Sequence, residues 1–106
     1  MVIQNSKNKI GTTRRGIGPV YSDKVSNNGI RIYELVRWDL FVEKFTFQAE
    51  IKNKILKTFN VSAIDIKKEL LKFSELRKII LPYVKDTYEI LQKALSENKK
   101  ILMEGA

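Results

Sequence analysis

Apolar side chains recur at helical spacing through most of the chain beyond residue 38. Leu40, Phe47, Ile51, Ile55 and Phe59 share one stripe, flanked by Phe41, Phe45 and Leu56. That pattern predicts an amphipathic helix over residues 39–59, with Asp39 as its N-cap. A second stripe, Ile66, Leu70, Phe73, Leu76 and Ile80, predicts a helix opened by Asp65 and bent or ended at Pro82, whose ring and missing N–H break the ladder. Asp86 and Glu89 have capping-box spacing ahead of Tyr88, Leu91 and Leu95, and Asn98 can close that helix in the left-handed conformation. The phenylalanines at helical spacing, Phe41, Phe45, Phe47 and Phe59, fit a packed core better than a base-stacking platform.

The N-terminal third is patterned differently. Four of the five glycines lie between Gly11 and Gly29. Residues 9–18 are expected to be loop. Pro19 suits a helix start, because its absent N–H is an orphan there in any case. A short helix over residues 20–28 would then end on Gly29 as the left-handed residue. Ile30, Ile32 and Leu35 nearly alternate and suggest a brief extended piece. At the other end, Ile101, Leu102 and Met103 form an apolar run without amphipathic pattern, as in a strand buried on both faces of a parallel sheet. Such a strand has no partner in this chain, and its backbone groups would be orphaned. The expectation is therefore a mainly helical fragment: a loop, about four helices and a terminal β-strand over residues 100–104, cut from a larger fold.

Composition narrows the chemistry. The 106 residues, 43% of them apolar, allow one small domain. With no cysteine and no histidine, disulfides, thiolate nucleophiles, the usual zinc sites and imidazole acid–base catalysis are excluded. No apolar run approaches the roughly 20 residues of a membrane span, and the N-terminus lacks a signal-peptide layout; a soluble cytoplasmic protein is expected. The net charge of +8 attracts anions. From Asn53 onward the lysines alternate with acids, as on solvated helix faces. Lys7, Lys9, Arg14, Arg15, Lys24 and Arg31, by contrast, face a single acidic residue, Asp23, between positions 7 and 31. The cationic character that bears on binding is N-terminal.

Within that stretch, Gly-Thr-Thr-Arg-Arg-Gly-Ile-Gly-Pro-Val-Tyr-Ser-Asp-Lys (residues 11–24) combines loop amides, hydroxyls and arginines ahead of a helix start. These groups together favour a phosphate-like anion. The sequence is not a Walker A loop. From the residues alone, an anion-binding loop and a plain connector both remain open.

Gly-Ile-Gly-Pro-x-Tyr-x-x-Lys (residues 16–24) resembles the signature of the adenylosuccinate synthetases. The resemblance extends to Ile-Gly-Thr-Thr-x-Arg before it, Gly-Ile-Arg at 29–31, Pro-Tyr-Val-x-Asp-Thr at 82–87 and Glu-Gly-Ala at 104–106. It implies an α/β enzyme with a large central sheet, a cytoplasmic homodimer that makes adenylosuccinate from inosine monophosphate (IMP), aspartate and GTP with Mg²⁺. It further implies that Thr13 binds the IMP phosphate, that Lys24 is the essential signature lysine, and that Arg15 and Arg31 support the site and the subunit interface. Residues 9–31 would be the IMP-phosphate and interface segment, and 39–98 a helical region. GTP and Mg²⁺ would be held by residues outside this chain, and an isolated fragment would be inactive.

One position departs from the pattern. The signature continues Lys-x-x-Arg, an arginine that reaches the partner's IMP phosphate; here it is Asn27. Exchanging a charge-assisted contact for a neutral one weakens it by about 1–3 kcal/mol, so restoring arginine is expected to tighten IMP binding. Two other readings stay open on the sequence: a basic helical module that binds nucleic acid, which no recognised motif supports, and a degenerate remnant without function.

Overall fold

The computed structural model describes residues 14–105, and these are mainly helical. Four α-helices follow one another: α1 (Ile17–Val25), α2 (Trp38–Thr58), α3 (Ile66–Ile80) and α4 (Thr87–Ser96). Short 3-10 turns lie between α1 and α2 (Ile32–Val36) and after α3 (Leu81–Tyr83).

Helix boundaries follow local chemistry, with several corrections to expectation. α1 starts earlier than Pro19, because Gly16 adopts a left-handed φ of 80° and turns the chain into the helix at Ile17. It ends at Val25, and the left-handed residue beyond it is Asn27, φ 60°, rather than Gly29. Gly29 serves another purpose: a Cβ there would lie 3.2 Å from Lys24 Cα, a tight contact that would push the link a few tenths of an ångström away from α1. Residues 32–36 form a 3-10 turn instead of an extended piece, because the Glu34 carboxylate accepts from Arg31 N–H at 2.6 Å and closes the turn. α2 begins one residue before Asp39, which is therefore in the first turn and not the N-cap. The other two N-caps stand where the sequence puts them, although Asp86 takes the N–H of Tyr88 and Glu89 does not complete the expected capping box. Asp65 accepts from Lys68 N–H, and Asp86 accepts from Tyr88 N–H.

Asparagine closes three of the helices in the same way. Asn27, Asn60 and Asn98 all have φ between 52° and 60°. In each case the next residue donates back five positions: Asn28 to Asp23, Val61 to Leu56, and Lys99 to Ala94, at 2.8–3.0 Å. This is the Schellman arrangement, and asparagine is the non-glycine residue that best tolerates it.

The core is small and aromatic. Phe41 of α2 stacks on Trp38 and Phe45, and both Phe41 and Phe45 meet Phe73 of α3 edge-on at 5.2–5.3 Å between centroids. Leu35, Phe41 and Ala49 are the buried apolar residues among those described. The inner face of α2 is thus the ridge Phe41, Phe45, Ala49 and Asn53. Asn53 fixes the following loop, its amide taking Ile64 N–H at 2.6 Å and donating to Ile64 O at 3.1 Å.

The stripe expected to be core is the opposite one. Leu40, Phe47, Ile51, Ile55 and Phe59 are 36–58% exposed. Two positions along a helix is a rotation of about 200°, so the 47–51–55–59 ridge faces away from the 41–45–49–53 ridge. α2 is apolar on both sides, and periodicity alone does not say which side α3 covers.

The terminal strand is also corrected. Residues 101–105 adopt no strand, and Leu102 and Met103 are 96% and 89% exposed. A lone strand has no hydrogen-bonding edge to join, and none is present among the described residues. The arrangement is open, with a radius of gyration of 17.7 Å, against about 13 Å for a compact chain of this length.

Candidate functional site

A groove of about 650 Å³ runs between the end of α1, the link through residues 28–34 and the inner flank of α2. Its walls include Lys24, Asn27, Arg31, Lys44 and Lys52, with Asp23 and Glu34 as the acidic members and Val20, Ile32 and Phe45 as apolar floor. The tight return of Asn28 and Gly29 N–H onto Asp23 O, both 2.8 Å, folds the link back, and Arg31 and Lys24 line the same groove.

Two of the cations are committed to carboxylates. Lys44 Nζ lies 2.6 Å from Glu34 Oε1, and Lys52 Nζ lies 3.2 Å from Asp23 Oδ1. Neither Lys24 nor Arg31 forms a side-chain ion pair with the described residues; Lys24 instead sits 5.8 Å over the Tyr21 ring. Lys24 and Arg31 thus line a groove with apolar residues among its walls, and neither is held in an ion pair. That suits a small organic anion, phosphate included.

Glu34 anchors one wall. Desolvation pushes its carboxyl pKa up, but the Lys44 hydrogen bond, the Arg31 N–H bond and the two positive charges outweigh it, and the net shift is downward. A depressed carboxyl stabilises the fold above its ordinary value of 4.5 and loses that contribution as pH falls through the folded value. Glu34→Gln is expected to cost about 1 kcal/mol near neutral pH, discounted for the half-exposed Lys44. In thermal melts across pH, the gap between variant and wild type should shrink as pH falls below 4.5 and close once the lowered carboxyl is protonated. A gap that persists there would contradict the assignment.

Of the residues singled out by sequence, the structure gathers Lys24, Asn27 and Arg31 on this groove. Arg15 is exposed at the start of α1 and does not line it. α1 rises about 1.5 Å per residue, which puts Lys24 roughly 12 Å from the Gly16 end. Thr13 lies outside the described residues. Sequence reasoning missed Lys44 and Lys52, because a lysine on an amphipathic helix carries no signal beyond solvation.

The family and its relatives bear on this geometry. A sequence model described as adenylosuccinate synthetase matches residues 2–106. The chain belongs to the adenylosuccinate synthetase family. Among similar proteins, the adenylosuccinate synthetase of Brachyspira hyodysenteriae is 44% identical over 101 residues, covering 94% of this chain and 24% of the relative. That of Halothermothrix orenii is 41% identical over 99 residues, 92% of this chain and 23% of the relative. That of Drosophila grimshawi is 46% identical over 98 residues, 92% and 21% respectively. The chain thus spans about a quarter of the length of these synthetases. No helix among the described residues is long and apolar enough to cross a membrane.

Proposed function

We propose that this segment forms the IMP-phosphate face of an adenylosuccinate synthetase, the GTP-dependent C–N ligase that joins aspartate to IMP in AMP biosynthesis. The observation that carries the reading is the groove lined by Lys24, Asn27 and Arg31, with neither Lys24 nor Arg31 held in an ion pair. The 5′-phosphate takes no part in the bonds that change. In the reaction the resemblance implies, the IMP 6-oxygen accepts the γ-phosphoryl group of GTP and leaves as phosphate when the aspartate amine attacks. The task of the groove is to hold the nucleotide's far end and so fix its base, and positioning of that kind contributes directly to rate. Lys24 supplies a cation, and Arg31 offers a planar fork suited to phosphate oxygens. Asn27 donates a neutral hydrogen bond.

The described residues gather no group of three or more carboxylate, histidine or cysteine side chains that could hold a metal. They do not fit Mg²⁺. GTP and metal would be handled by the rest of the synthetase. The outward ridge of α2 and the exposed Ile101–Met103 run are the surfaces on which that remainder would pack, the run joining a central α/β sheet as a strand. The same reading makes the enzyme a cytoplasmic homodimer.

The test is a titration of the chain with IMP and with inosine, which lacks the phosphate. IMP should bind and inosine should not, and Lys24→Ala should weaken IMP binding about tenfold, the loss of one charge-assisted contact. Equal binding of inosine, or an unaffected Lys24→Ala, would sink the proposal. Tight RNA binding that falls steeply with salt would favour the nucleic-acid module instead.

A further inference from the structure

We propose that Lys52 is a third cation of this anion site, held at the groove by Asp23 and transferred to the incoming phosphate. The inference rests on the reading of the groove as a phosphate site and adds a residue to it.

The two ion pairs on the groove wall differ in kind. Lys44 meets Glu34 at 2.6 Å, and the other Glu34 oxygen is taken by Arg31 N–H, also at 2.6 Å. With its side chain only 19% exposed, Glu34 is satisfied on both oxygens, and Lys44 is locked into the wall. Lys52 and Asp23 are 3.2 Å apart, with side chains 43% and 32% exposed. A pair that wet contributes little to stability, and its carboxylate can be rehydrated where it stands. A phosphate carrying up to two negative charges competes well for the ammonium.

The placement is apt. Lys52 projects from α2 one turn beyond Gln48 and Ala49, which also line the groove. Its partner Asp23 is the chain neighbour of Lys24. Lys24 from α1, Arg31 from the link and Lys52 from α2 would approach the anion from three elements, and three directions of charge hold a tetrahedral group better than two. Asp23 keeps the third charge in place while the groove is empty.

The probes are inorganic phosphate and IMP, titrated into the chain and followed by amide NMR shifts. Lys52→Gln should weaken binding about five- to tenfold, as expected for one lost charge-assisted contact. Asp23→Asn frees Lys52 and should tighten binding about two- to fivefold, while its backbone carbonyl still closes α1. The gain should vanish in the double variant Asp23→Asn/Lys52→Gln, because it acts through the lysine. If the pair only ties α1 to α2, both single variants weaken binding together, and the proposal is overturned. A gain that survives in the double variant is a field effect of the lost carboxylate and overturns it equally. Loss of binding in Lys24→Ala with no change in Lys52→Gln removes Lys52 alone. Absence of phosphate and IMP binding to the wild-type chain removes the groove reading as well.

Discussion

Phe41→Ala is expected to lower the stability of the chain by about 3–5 kcal/mol, read from the urea midpoint at constant m-value. Phe41 is 3% exposed and touches three other rings, Trp38, Phe45 and Phe73. Its removal takes away the transfer free energy of a whole aromatic side chain and leaves a hole that the neighbouring rings, fixed on two helices, cannot close. A domain of this size has little stability to lose, so the variant should be largely unfolded at room temperature. Phe47→Ala is the control. It sits on the same helix but on the outer ridge, 58% exposed, and should change stability by less than about 0.5 kcal/mol. Equal losses in the two variants would show that the inner and outer faces of α2 have been assigned wrongly.

Arg77→Ala is expected to cost about 2–3 kcal/mol through a different mechanism. From α3, the Arg77 guanidinium donates Nε–H to Leu35 O and an Nη2 hydrogen to Val36 O at 3.0 Å, and lies 5.8 Å over the Trp38 ring. It therefore satisfies the carbonyls at the end of the first 3-10 turn and clamps that turn, and with it the groove wall, to the helical pair. Lysine has one charged point instead of a fork, so Arg77→Lys should recover less than half of the loss. Trp38 is the single tryptophan, and its fluorescence reports the clamp directly. A full rescue by lysine, with unchanged Trp38 emission, would argue that charge and not forked geometry matters at this position.

Much of the fold is legible in the sequence where a local rule decides it. Asp65 and Asp86 announce helix starts because a carboxylate after an extended residue satisfies orphan amides whatever lies around it. Asn98 and Pro82 mark endings for equally local reasons. Asp39 misled because Arg37 begins the turn one residue early and pairs with Asp39 at 3.4 Å. The choice of core face on α2 was not legible. Two apolar ridges on opposite sides have equal claims by periodicity, and only the position of Phe73 on another helix settles which is covered. The strand at residues 101–103 fails for a related reason: its apolar run describes what it would bury against, and no such surface is within the described residues. For the candidate site, the family resemblance points to Thr13, Arg15, Lys24, Asn27 and Arg31; Lys24, Asn27 and Arg31 line the groove, Arg15 does not, and Thr13 lies outside the described residues. Lys44 and Lys52 enter through tertiary packing alone, and no spacing rule would have found them.

Asn27 is subject to two requirements that pull toward different amino acids. The backbone at φ 60° wants glycine or asparagine, since other side chains crowd the following carbonyl in that conformation. The groove wants a polar, preferably cationic, side chain. Glycine would satisfy the first requirement and leave the groove without a donor, at the further cost of a more disordered unfolded chain; arginine would satisfy the second against the grain of the turn. Asparagine is the compromise that meets both in part, and tolerance to substitution at this one residue should be narrower than its exposure suggests.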